Sequence, residues 1–126
     1  MATEIQTLPQ NVNYEIWQGD TWTPGTITAY NGTATPGNEV NFTGYTAKME
    51  LRTIVSNDVV ETLTSPSSGI ALTSLGVITL TMTASETSAI AAGEYRYDLQ
   101  ITSGAGVIKT YTYGRITVQT DTTANA

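Results

Sequence analysis

Glu94 and Asp98 are the residues of this chain best placed to act as a carboxylate pair, because the two-residue period of EYRYDLQIT puts both on one strand face. Four residues of strand separate them by about 13 Å, beyond the roughly 5 to 9.5 Å that glycoside hydrolysis uses. With Arg96 between them, the triplet reads as a solvated face of alternating charge. The chain contains no histidine and no cysteine, so Ser-His-Asp and Cys-His relays are excluded and a zinc site would need an all-carboxylate shell. Asn57-Asp58 and the Asn and Glu residues between 37 and 41 offer oxygens for calcium, but without EF-hand spacing they read as turn formers. SGAG at 103 to 106 lacks the lysine and following helix of a phosphate loop and reads as a hairpin turn. No enzyme activity, cofactor or metal is expected.

The aromatic residues carry more. Trp17 and Trp22 flank the turn-prone QGD of 18 to 20, and Trp17 falls on the strand face opposite Tyr14 and Ile16. Exposed, the two would make a stacking platform for sugar rings or an anchor for a protein partner. Packed, they would cap the open end of the fold, and the sequence leaves these readings open. Leu8 and Pro9 join them as candidate interface residues, since Leu-Pro favours extended backbone within residues 1 to 11, which read as an N-terminal arm. Tyr95, Tyr97, Tyr111 and Tyr113 are expected to pair across the last hairpin and pack in the core.

Strands must position these residues. The 126 residues suffice for one domain, and 40% apolar with 13% charged residues describes a soluble globular chain. Tyr45, Ala47, Met49 and Leu51 alternate with Thr46, Lys48, Glu50 and Arg52, a half-buried antiparallel strand, and similar runs occur at 12 to 17, 77 to 83 and 94 to 102. Shorter runs lie at 26 to 30, 59 to 63 and 70 to 72, and the closing strand at 107 to 118 is interrupted by Gly114, as a bulge or close-contact site would do. Thr83 followed by Glu86 forms a capping-box signature for one helical turn near 84 to 91, with Gly93 as its stop. These spacings predict an all-β, immunoglobulin-like antiparallel sandwich of seven or eight strands over residues 12 to 118, followed by a polar tail at 119 to 126.

The net charge is −6, from 5 bases against 11 acids, so a phosphate backbone would be repelled and no nucleic-acid partner is expected. The start, MATEIQTLPQ, has neither a basic n-region nor an apolar h-region, and no apolar run reaches the roughly 18 residues of a spanning helix. Synthesis in a cytoplasm and no membrane partner are the expectations.

The ordered set YEIWQGDTW, NFTGYTAKMELR, SGIAL with VITLTMTASETSAIAAGEYRYDLQIT, and GVIKTYTYGRITV resembles the small β-sandwich structural domains of tailed bacteriophages, similar to the N-terminal domain of baseplate upper proteins. The resemblance spans roughly residues 14 to 118, and QGDT, TGYTAKMELR, the TASET…AAGEYRYDL join and the closing G-x-ITV are its most specific parts. It implies a non-enzymatic virion part whose partners are other virion proteins and copies of itself, and it transfers no catalytic residue. With no coiled-coil or receptor-binding region after residue 118, a small adaptor at the tail or baseplate is expected. A capsid decoration protein is the alternative, and a carbohydrate-binding module using Trp17 and Trp22 is the third reading. In the adaptor reading the arm and the tail cross onto adjacent subunits, and deleting residues 1 to 11 should abolish incorporation while sparing folding.

Overall fold

Alternation decides which side of each strand meets the core. In the computed structural model, which describes residues 3–5, 8–65 and 68–120, the elements run β1 (Thr3–Ile5), β2 (Gln10–Asn11), β3 (Tyr14–Trp17), β4 (Thr26–Ala29), β5 (Thr46–Thr53), β6 (Val59–Thr64), β7 (Ile70–Leu72), β8 (Val77–Leu80), α1 (Ala84–Ser88), β9 (Gly93–Thr102) and β10 (Ile108–Gln119). Every run expected from the sequence appears as a strand. Among the described residues the number rises to ten because β1 and β2 are too short to show a period.

Two sheets face each other, one in the order β1-β4-β8-β7, the other in the order β2-β10-β9-β5-β6 with β3 also on β10. Lettered in chain order with β2 and β3 set aside, they read A-B-E-D and G-F-C-C′, the strand order of immunoglobulin-type sandwiches. A departure lies in β1, which runs parallel to β4. Met49, Leu51, Leu99, Ile101 and Ile116 from the larger sheet meet Ile27, Ile70, Ile78 and Leu80 from the smaller, all buried. Core packing of this kind, with apolar faces removed from water on both sheets, is the main favourable contribution to stability.

Of the segment read as an arm, Thr3–Ile5 and Gln10–Asn11 pair with strands of their own sandwich. Ile5 is fully buried in the core, and Gln10 and Asn11 run beside Thr112 and Tyr113 of β10. Deleting residues 1 to 11 would therefore open the core, which corrects the expectation that folding would be spared. Of the expected tail, Gln119 ends β10 and residues 121 to 126 lie outside the described residues.

The four tyrosines do not share one fate. A bulge between Thr110 and Thr112 inserts one residue opposite β9, so that Tyr111 and Thr112 are both buried while Tyr113 turns outward at 44% exposure. The alternation changes phase there, and a uniform period cannot foresee it. Gly114 is instead the close-contact site: a Cβ on it would lie 2.5 Å from the Val12 carbonyl oxygen and 2.6 Å from Asn13 Oδ1.

Candidate functional site

The QGD turn and helix α1 are hydrogen-bonded together at one end of the sandwich. Thr83 caps α1 through a reciprocal box, Glu86 N donating to Thr83 Oγ1 (3.1 Å) and Thr83 N to Glu86 Oε1 (2.8 Å). The helix stops at Ala89, and Gly93 opens β9 instead of ending the helix. The buried Thr87 hydroxyl accepts from Gly19 N (3.0 Å) and donates to the Asp20 carbonyl (2.8 Å), while Gln18 Nε2 donates to the Ile90 carbonyl (2.8 Å). Two of the most specific motifs in the sequence thus meet in space, and what they do there is hold the chain together.

Trp22 belongs to this end. Its backbone exchanges hydrogen bonds with Met82 (2.9 and 3.0 Å), its ring stands edge-on to Tyr14 at 5.4 Å, and its Nε1 donates to the Glu15 carbonyl (3.2 Å). At 6% exposure it cannot stack on a sugar. Trp17, on the outer face, remains 45% exposed with Nε1 donating to Glu15 Oε1 (3.3 Å). A two-tryptophan platform therefore does not form. Leu8, at 37% exposure, and Pro9 lie at the surface.

Charge concentrates on the outer face of the larger sheet. Lys48, Arg52, Arg96 and Arg115 point outward there with Glu15, Glu50, Glu94 and Asp98, four bases against four carboxylates, so the chain's net −6 is carried by the remainder. Strand register sorts these charges into rows. Arg52 stands opposite Arg96, Arg96 opposite Arg115, and Glu50 opposite Asp98. Like charges directly opposite one another are unfavourable, and relief comes along and diagonally across strands. Glu50 takes Arg52 (2.7 Å) and Lys48 (3.4 Å), and Glu94 takes Arg115 (3.0 Å). The hydrogen bond from Arg52 holds the Glu50 carboxyl below the usual range.

Asn57, the left-handed residue of the β5–β6 turn at φ 60°, completes the row: its carbonyl accepts from Arg52 Nη1 (2.8 Å) and its Oδ1 from Arg96 Nη2 (2.7 Å). Its oxygens are thus taken up by the two arginines, while Glu39 Oε1 accepts from Gly37 N and Asn41 Oδ1 from Thr43 N within their own loop. No group of three or more acidic side chains able to hold a metal occurs among the described residues. Between the arginine row and Asp98 lies a shallow groove of about 510 Å³, with Tyr113 and Gly114 along one side.

Glu94 and Asp98 lie on this outer face, as their spacing predicts, with Arg96 between them. Sequence periodicity reaches that far. It misses Tyr113, whose outward turn depends on the bulge, and Asn57, whose role needs two arginines from different strands. The available signal for Asn57 is its place in a tight Ser-Asn-Asp turn.

Among solved structures, one described as the N-terminal domain of phage TP901-1 ORF48 has a similar fold, with a TM-score of 0.50 and 15% sequence identity over 94% of this chain and 98% of that one. No protein-family model matches the chain, and no curated protein matches it. The architecture expected from the ordered motifs is thus also the architecture of a phage protein's N-terminal domain.

Proposed function

We infer that the protein is a non-enzymatic structural or adaptor component of a tailed-phage virion, placed at the tail or baseplate. The observation that carries this reading is the fold likeness to a phage N-terminal domain along nearly the whole of both chains. The geometry supports it, since the most specific motifs build a rigid sandwich end in place of a reaction centre. Outer strands supply the attachment surfaces: β6 forms one border of its sheet with Val59 and Val60 exposed, and β3 lies at the other with Trp17 exposed. Such borders take up an added strand or an anchoring side chain from another virion protein or from a second copy.

Antibodies raised against residues 27 to 115, applied with gold to sedimented intact and detergent-opened particles, test the reading. Gold on the tail or baseplate is expected. Gold over the head would move the protein to capsid decoration, and particles bare of gold in both preparations would sink the virion role altogether.

A further inference from the structure

The groove on the outer face of the larger sheet has three properties that packing alone does not require. The first is Tyr113, a large aromatic ring brought to the surface by the bulge at Thr110/Thr112 and left 44% exposed. Bulges of this kind re-aim side chains. The second is unused hydrogen-bonding capacity: the Tyr113 hydroxyl, the Asp98 carboxylate and the Gln100 amide line the groove, and none makes a hydrogen bond or ion pair with a described residue. Tyr113 and Asp98 are direct cross-strand neighbours, and Gln100 follows Asp98 on the same face of β9.

The third property is retained electrostatic conflict. Glu50 opposite Asp98 and Arg52 opposite Arg96 oppose the cross-strand preference for unlike charges, and local violations of this sort mark functional positions. The conflict lays a row of acceptors beside a row of donors. Arg52 and Arg96 are aligned by Asn57 before any ligand arrives. Two bases and two carboxylates leave the groove without net charge.

We propose that this groove binds a neutral saccharide, with the Tyr113 ring under the apolar face of one sugar and Asp98, Gln100 and Arg96 hydrogen-bonded to its hydroxyls. Sugar hydroxyls both donate and accept, so one ring bridges the carboxylate and guanidinium rows, which a ligand of single charge cannot do. The exposed ring supplies the apolar contact and the strand-borne polar groups set orientation. A protein interface fits less well, because interface centres are depleted of charge and, of the two tyrosines lining this groove, Tyr97 is buried and Tyr113 alone is exposed. The site differs from the expected tryptophan platform, and it holds whether or not the protein is a virion part.

The full chain, fluorescently labelled, is applied to an array of neutral and acidic oligosaccharides, and the neutral hits are titrated into ¹⁵N-labelled protein. The expected result is binding of a neutral oligosaccharide with shifts centred on β9 and β10, weakened at least tenfold in Y113A and in D98N and less than twofold in W17A. Both weakening substitutions are at exposed positions, and thermal melts check that they fold. Absence of any neutral hit, or equal binding by Y113A, overturns the proposal. So does binding restricted to acidic glycans that salt abolishes, which would be ion pairing with the arginines, or concentration-dependent shifts of the same residues without glycan, which would mark a contact between copies. Particle labelling without glycan binding would leave the virion role standing, and glycan binding without labelling would do the reverse.

Discussion

Tyr14 and Tyr97 place two hydroxyls in the same interior with opposite outcomes. The Tyr97 hydroxyl donates to the Val12 carbonyl (2.6 Å) and lies 3.3 Å from the Thr112 hydroxyl, whereas the buried Tyr14 hydroxyl interacts with the Tyr97 hydroxyl alone and makes no well-formed hydrogen bond among the described residues. An unsatisfied buried hydroxyl costs free energy, and a satisfied one loses more when deleted than it contributed in isolation. Tyr14→Phe is therefore expected to leave stability unchanged or raise it by about 1 kcal/mol, while Tyr97→Phe lowers it by about 1 to 3 kcal/mol. Urea melts of both variants check this, and equal losses would show that Tyr14 has a bridging partner. At the same scale Trp22 and Trp17 separate, since five residues of chain around a turn take one ring into the core and leave the other in solvent. Nothing in residue type distinguishes them.

At the scale of elements, the short strand β1 matters more than its length suggests. It adds three residues to the edge of the smaller sheet and carries Ile5 into the core. Ile5→Ala is expected to cost about 2 to 5 kcal/mol, the range for a fully buried aliphatic truncation. A loss below about 0.5 kcal/mol in chemical denaturation, typical of surface changes, would mean that β1 is dispensable to the sandwich. The helix was readable from Thr83 and Glu86 because a capping box is a local device with fixed spacing. β1 and β2 were not, because two or three residues carry no period and their strand identity depends on β4 and β10 being there to receive them.

For the whole molecule, the buried tyrosines predict an alkaline limit. Burial raises the hydroxyls of Tyr14, Tyr97 and Tyr111 above their ordinary value of 10.0. A folded-state pKa above the unfolded one contributes stability that is complete below about pH 10 and is lost as pH rises through the folded values. Denaturant midpoints should hold from pH 7 to about 9.5 and fall progressively above 10. A flat profile to pH 11.5 would show these hydroxyls to be hydrated. Glu50 acts in the other direction, its lowered pKa giving a contribution present above the unfolded value and lost as pH falls through the folded one. That contribution is small, because the carboxylate and its partners sit on the sheet surface within reach of solvent.

The all-β class, the long strands, the capped helical turn and the exposed charged face of Glu94, Arg96 and Asp98 are legible in the residues alone, because each rests on local periodicity or on a motif of fixed spacing. That Trp22 is core, that Ile5 completes it, that Tyr113 faces outward and that like charges stand in rows across the sheet emerges only once the chain has folded. Those outcomes depend on register and on partners far along the chain. A bulge of one residue reverses every later face, and no window of neighbouring residues records which strand will lie alongside.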